Sequence, residues 1–309
     1  MNAEVTVYCG IDVSKEHLDA RIKGKTIRFS NTVKGAGLIM DRAGEVHFIF
    51  ESTGGYERMA AWMMMTAGKK VSIVNPGRVR HFAISMGQLA KTDNIDARII
   101  TEFAEQAKPA PAEKPSKSQR TLTALVDRRQ QLVEIRTAET SRLDTAGDPI
   151  YRKLINRHLK WLNKEIAHIE EEIGTTITED TEMAQKAQSI QRLKGLGAVC
   201  TSTLLAHLPE IGTLSRQEIA ALAGVAPYNR DSGKTSFRRH ICGGRKRLRA
   251  CLYMAAVCAI RYNDPMKKFY TRLVEVNHRP PKVALVAVMR KLLIAANSAV
   301  KNPDFIVVV

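Results

Sequence analysis

Aromatic residues are scarce in this chain, at 6%, and that scarcity argues against a stacking platform for single-stranded nucleic acid. Cysteine is also thin. Cys9, Cys200, Cys242, Cys251 and Cys258 form no C-x-x-C pair and sit mostly in apolar stretches. That excludes a zinc site and a disulfide framework and points to free thiols in a reducing cytoplasm. No long apolar run is present: Cys251–Ile260 and Val283–Met289 are the longest, and a bilayer span needs about 20 residues. The first ten residues lack the basic start and apolar core of a signal peptide, so no membrane partner is expected. Signatures of a helix-turn-helix, a zinc finger or an RNA-recognition motif are missing as well.

Acidic residues are the other deficit. Against 48 Lys and Arg stand only 31 Asp and Glu, giving a formal charge of +17 and a pI near 9.8. An excess of that size repels itself on folding and is expected to serve a polyanion, nucleic acid first. The remaining composition, 44% hydrophobic and 26% charged over 309 residues, is that of a globular protein with room for two domains.

Three regions follow from the pattern. Residues 1–112 read as α/β. Val5–Ile11 is a short strand ending at Asp12, Leu18–Lys23 and Thr26–Ser30 flank a Gly24-Lys25 turn, and Val46–Phe50 is a buried strand ending at Glu51. Tyr56–Ala67 has a helical pattern, Val71–Val74 is a strand stopped by Asn75-Pro76, and a helix follows from Asn94 with Asp93 as its N-cap. The proline-rich stretch Lys108–Pro115 marks a break. Residues 113–185 read as two long helices, Gln119–Arg142 and Ile150–Ile173, separated by Gly147-Asp-Pro149. Leu159, Leu162, Ile166, Ile169 and Ile173 form a coiled-coil seam at spacings of three and four. The seam serves either self-association or interdomain packing, or else a helical hairpin packed on its own domain. Residues 186–309 are helical and strongly basic. The expected fold class is therefore α/β followed by all-α.

Four carboxylates carry the chemistry. Asp12 and Glu51 stand at the C-terminal ends of strands, where α/β folds build their sites. Asp93 and Asp96 are three apart at a helix start and can face one side. Gathered together, four carboxylates need cations, and oxygen-only ligation selects Mg²⁺ or Mn²⁺. Two such ions about 3.5–4 Å apart clamp the attacking and leaving oxygens of a phosphodiester displacement. Singly, each has a plainer reading. Asp12 could be a turn residue, Asp93 a helix cap, and Asp96 a complement to the helix dipole or a partner of Arg98 or Arg78. Glu51, directly after Val-His-Phe-Ile-Phe, is the hardest to dismiss.

The order strand-Asp, hairpin, strand-Glu, helix with D-x-x-D resembles the ribonuclease H-like fold of the junction resolvase RuvC. More closely, Gly10-Ile-Asp-Val-Ser-Lys15, Glu51-Ser-Thr-Gly-Gly-Tyr56, Val74-Asn-Pro76 and Lys91-Thr-Asp-Asn-Ile-Asp-Ala-Arg98 resemble the DEDD transposases of insertion sequences. The family is the one-ten family with its eleven-eleven subgroup, related to Piv-type DNA invertases and RNA-guided bridge recombinases. The resemblance continues through Gly224-Val-Ala-Pro-Tyr-Asn-Arg-Asp-Ser-Gly233, Ile241-Cys-Gly-Gly-Arg245 and Leu252-Tyr-Met254. It implies a bacterial cytoplasmic recombinase that cuts and rejoins double-stranded donor and target DNA. It also implies Mg²⁺ at Asp12, Glu51, Asp93 and Asp96, a serine nucleophile at Ser232 with a phosphoserine intermediate, a guide RNA, and a homodimer or homotetramer. From residues alone, Asp231-Ser232-Gly233 is a common turn signature. A serine hydroxyl needs a base or metal to act as a nucleophile.

The basic surface is expected at Lys91, Arg230, Lys234, Arg238, Arg239, Arg245, Lys246, Arg247 and Arg249, which could neutralise several phosphates or form a solvated face. Gly243-Gly244 would let the backbone approach a nucleic-acid strand closely. Lys194, Gly195 and Gly197 lie in a turn that resembles a helix-hairpin-helix, although an ordinary helix connection has the same glycines. Three rivals remain: a junction-resolving endonuclease using metal-activated water, a sugar-kinase-type phosphotransferase lacking its second phosphate loop, and a non-catalytic nucleic-acid-binding protein.

Overall fold

The computed structural model describes residues 6–88, 93–228, 231–232, 235–236, 239–302 and 304. Of these, the side chains of residues 93–95, 231, 232, 235 and 236 are outside the description. The chain divides into two compact units, Met1–Pro115 and Ser116–Val309.

The first unit is a five-stranded mixed sheet with helices on both faces. β1 (Tyr8–Val13), β2 (His17–Ile22) and β3 (Lys25–Ser30) form an antiparallel meander, and β4 (His47–Glu51) and β5 (Val71–Val74) add in parallel, giving the order β3-β2-β1-β4-β5. The β2–β3 turn sits at Lys23-Gly24, one residue earlier than the sequence suggests. Both residues have positive φ (47° and 80°), and Ile22 pairs with Lys25. A two-residue hairpin loop needs that geometry to match strand twist.

One face of the sheet packs on α1 (Val33–Ala43) and α2 (Arg58–Thr66), burying Ile11, Leu18, Phe48 and Phe50 against Ala36, Ile39, Ala61 and Met64. The other face packs on α3 (Pro76–Ser85) and α4 (Asp93–Ala107), through Ile49 and Val74 against Val79, Ile100 and Phe103. α1 and α3 escaped the sequence reading. The apolar run of α1 is interrupted by two glycines, and α3 starts on the Asn75-Pro76 pair that reads as a stop. Pro is well suited to a first helical position, and the Asn75 side chain caps Gly77 N–H at 2.8 Å. The proline-rich stretch is a strap along β5: Ala112 N–H donates to Val71 O (2.8 Å) and Ser72 Oγ to Ala110 O (2.7 Å). It covers a sheet edge that would otherwise stand open.

The second unit is mainly helical. α5 (Lys117–Thr145) and α6 (Pro149–Glu179) pair as an antiparallel hairpin. Leu162 and Ile166 of the seam bury against Leu132, and Arg129 with Glu170 and Arg136 with Asn163 fix the register. Asp148 caps α6 by accepting from Ile150 N–H and Tyr151 N–H. Ile150, Tyr151, Leu154 and Trp161 remain exposed on the same helix. The base of the hairpin shares a core with α7 (Thr181–Gln191), α8 (Ala198–His207), α9 (Arg216–Leu222), α10 (Lys246–Tyr262), α11 (Asp264–Thr271) and α12 (Pro281–Lys301). Among the described helices, α12 alone is long and apolar enough to cross a bilayer, but 56% of that stretch is buried in this core.

Candidate active site

The first unit brings carboxylates together at the C-terminal ends of β1 and β4. The parallel register pairs Gly10 with Ile49 and Ile11 with Phe50. One residue further on, Asp12 falls beside Glu51 on the same face of the sheet, with strands about 4.8 Å apart. On the other side Asp12 pairs directly with Asp19 of β2, and Asp19 with Arg28 of β3. A single row therefore crosses the sheet: Arg28, Asp19, Asp12, Glu51, Val74. Asp19 is only 6% exposed, and Arg28 grips it with two hydrogen bonds of 2.9 Å. Its charge is thereby neutralised inside the row, while Asp12 and Glu51 lie half-buried next to it.

α4 delivers the next acidic residues. Gly10 presses directly on this helix: its N–H donates to Thr101 Oγ1 at 3.0 Å. A Cβ built there would lie 2.6 Å from Ala97 O and from Thr101 N. Two residues along β1, about 6.6 Å, reach Asp12. One helical turn back from Ala97, about 6 Å, reaches Asp93, with Asp96 between. The close Gly10 contact thus fixes the distance between β1 and the middle of α4. Asp96 is half-buried in the first turn, and the Asp93 side chain lies outside the described residues. Among the described residues, no three His, Cys, Asp or Glu side chains are grouped closely enough to hold a metal ion.

Two residues that the sequence reading passed over shape the rim. Glu57, 4% exposed, accepts from Thr53 N–H (3.1 Å) and Gly55 N–H (2.9 Å), winding the Ser52–Tyr56 loop tightly behind Glu51. Gly54 and Gly55 supply the positive φ values that this loop requires. Asn31 Nδ2 donates to Ser14 O (2.9 Å) and Tyr56 O (3.1 Å), tying the loop after Asp12 to the loop after Glu51. The signal for Asp19 was present: an acid inside an alternating strand, nine residues before an arginine that pairs with it across a hairpin.

In the second unit, β6 (Pro227–Tyr228) pairs with β9 (His240–Ile241). Between them β7 (Asp231–Ser232) and β8 (Thr235–Ser236) make a hairpin with Ser232 opposite Thr235. Lys91, Arg230, Lys234 and Arg238 lie outside the described residues. At the base of the hairpin, Gly224 and Gly244 (φ 71° and 68°) cross in direct contact: a Cβ on Gly244 would lie 2.1 Å from Gly224 N. The close approach that Gly244 permits is to its own chain; beside Gly243 the space is open.

Several of the basic side chains are engaged. Arg245 makes two hydrogen bonds to Glu210 (2.9 and 2.7 Å) and a third to His207 O (2.7 Å). Burial pushes the Glu210 carboxyl up, but the Arg245 hydrogen bonds and charge outweigh it and hold it below the usual range. Arg247 pairs with Asp127, which also meets His207 Nε2 at 3.1 Å, and Arg249 donates to Gly243 O. Arg239 and Lys246 are exposed. The Lys194-Gly195-Leu196-Gly197 turn joins α7 to α8. Gly195 (φ 111°) lies against Ala259, and Asn263 Nδ2 donates to Lys194 O at 3.0 Å.

Comparison with known proteins accounts for both units. Residues 9–150 match a model of DEDD transposases of the IS110 type, and residues 187–271 match a model of the transposase IS116/IS110/IS902 family. The chain belongs to the IS110 family of transposases. It is similar to the pilin gene-inverting proteins of Moraxella bovis and Moraxella lacunata, at 26% identity each with 96% of either chain covered. It also resembles the insertion element IS900 uncharacterized 42 kDa protein of Mycobacterium paratuberculosis, 30% identical over 42% of this chain and 34% of that one. The transposase is therefore an enzyme of DNA recombination. The matched N-terminal segment contains the whole carboxylate row, and the C-terminal one contains the Gly224–Gly244 clamp and the Ser232 hairpin.

Proposed function

We propose that this transposase cuts and rejoins DNA at a divalent-metal site served by Asp12, Glu51, Asp93 and Asp96, with Ser232 as the nucleophile that carries the broken strand. The observation behind the reading is the Asp12–Glu51 pair, two carboxylates on one face at the ends of adjacent parallel strands. Like charges at that spacing repel and favour a cation between them. Their donors are hard oxygens only, which suits Mg²⁺ or Mn²⁺. The strand order with an antiparallel β2 supports a ribonuclease H-like, RuvC-like ancestry for the first unit.

A bound divalent ion would supply Lewis-acid stabilisation of the phosphoryl oxygens. The remaining steps fall to the chain. Ser232 Oγ bonds to the scissile phosphorus as the phosphorus–sugar oxygen bond breaks. The seryl proton passes to a base and the departing sugar oxygen takes one up, so the step is balanced. Attack by a sugar hydroxyl of the new partner strand then frees Ser232 and reseals the backbone. No bond energy is lost, as invertases and transposases that rejoin strands require. The Asp19–Arg28 ion pair compensates the charge of a third carboxylate in the same row.

Donor and target are double-stranded DNA, held through phosphates by exposed cations such as Arg239 and Lys246. A chain without a base-reading motif suits an RNA guide for target choice. The exposed Ile150, Tyr151, Leu154 and Trp161 on α6 support a homodimer or homotetramer. Asp12→Ala and Glu51→Ala should each bind DNA normally and fail to cut it in Mg²⁺. Cutting at the parental rate by either variant would contradict the metal site. Recombination that persists in Ser232→Ala would instead favour a resolvase-type hydrolysis by water.

A further inference from the structure

Beside the β6–β9 pair that carries the Ser232 hairpin lies a groove of about 270 Å³. Its lining is mainly apolar, with Pro227, Ile241 and Val286, and carries three cations, Arg239, Lys282 and Arg290. Among the described residues no carboxylate pairs with any of these three cations. That distinguishes them from Arg245 and Arg247, which are paired with acids of their own chain. The groove exists because α12 turns its strongly apolar face, with Leu285, Val288, Met289 and Leu292, into the core. It leaves a second stripe, Lys282, Val286 and Arg290, at spacings of four. Lys282 and Arg290 thus stand about 12 Å apart along the helix.

We infer that this groove holds the DNA strand being cut, next to its scissile phosphate. The inference rests on Ser232 being the nucleophile. Charge complementarity selects the occupant: cations with no carboxylate partner among the described residues, set along an apolar lining, fit a chain of phosphates with bases between them. The 12 Å between Lys282 and Arg290 exceeds a single nucleotide step, which is ~3.4 Å even when stacked, so the two cations meet different phosphates. At about 270 Å³ the groove falls just below the usual range of ligand sites, which begins at about 300 Å³, and it suits one nucleotide's base and sugar. The strand is therefore locally unstacked there, with one base turned onto Pro227, Ile241 and Val286. β9 links groove and nucleophile, since His240–Ile241 both pairs with β6 and closes the segment that contains Ser232. The groove positions the strand.

A photo-crosslinking benzophenone amino acid at Val283, 52% exposed at the groove mouth, tests the assignment in the full chain with end-labelled DNA containing the cleavage site. The expected crosslink falls on the cleaved strand within a few nucleotides of the scissile phosphate, and it persists in a Ser232→Ala background. In the same assay Lys282→Gln with Arg290→Gln, checked for parental melting by circular dichroism, should weaken the crosslink. The slope of log affinity against log salt should fall by roughly 1.4, two single-strand phosphate contacts at ~0.7 each. Crosslinks confined to RNA or to protein, or an unchanged salt slope, would overturn the groove. A covalent DNA adduct at Ser232 without the crosslink removes the groove and leaves the nucleophile standing. The crosslink without an adduct does the reverse.

Discussion

Replacing Gly10 by Ala should damage the transposase more in rate than in stability. The added Cβ would sit 2.6 Å from Ala97 O, Thr101 N and Thr101 Oγ1. Two of those atoms are backbone and cannot rotate away. A carbon contact is comfortable at about 3.5 Å, so α4 must retreat by about 0.9 Å or tilt. Overpacking of this kind costs about 1–3 kcal/mol, and the Gly10 N–H···Thr101 Oγ1 bond weakens with it. At roughly 4 °C per kcal/mol for a unit of this size, scanning calorimetry should show the N-terminal transition lowered by about 4–12 °C. In the site proposed above, the same retreat shifts the helix that bears Asp93 and Asp96 relative to β1. A misplacement near 1 Å can cost about 10²-fold in rate, so strand cleavage below the melting range should fall by about that factor. Parental melting together with parental cleavage would refute the idea that the Gly10 contact sets the site.

Gly244→Ala should destabilise the second unit, because its Cβ would collide with the Gly224 backbone at a positive φ; thermal melting reads the loss, expected above about 2 kcal/mol. Asn263→Ala removes the bond to Lys194 O and the cap on Met266 N–H at once, and should cost about 1–3 kcal/mol. His47 is pushed below its ordinary pKa by burial and then by the Lys70 charge. Its neutral ring gives stability that is full above pH 6.5 and is lost as pH falls from there toward the folded value. Denaturant titrations of His47→Gln should lack that acid-side decline. Ser72 spends its only proton on Ala110 O. His47 therefore donates from Nε2 to Ser72 Oγ at 2.9 Å, which NMR of the ring nitrogens can verify.

The strands bearing Asp12 and Glu51 were legible because short β-branched runs ending in an acid have few alternatives. Both long helices were legible from their seam, though pattern alone left open what the seam packs against. The packing partner is the facing helix, because a three-residue break between helices of 29 and 31 residues folds them back on each other. The sequence could not show the contacts that set positions. Gly10 reads as one residue of a strand, and only the distance to Ala97 gives it a role. Nothing in the sequence singles out Glu57, yet it winds the loop behind Glu51. The arginine-rich stretch reads as one face, whereas Arg245 and Arg247 are spent on Glu210 and Asp127. Pairing of that kind depends on tertiary folding and leaves no local trace.

The central claim is that DNA is carried on Ser232 with the carboxylates of the first unit assisting. The most direct test incubates the purified chain with RNA transcribed from the DNA flanking its gene as the candidate guide, Mg²⁺ and radiolabelled donor and target DNA, followed by denaturing electrophoresis. The account predicts a protein–DNA adduct that needs Mg²⁺ and is absent with Ser232→Ala, Asp12→Ala or Glu51→Ala. Recombinant product from Ser232→Ala, or an adduct mapping to another residue, would contradict it.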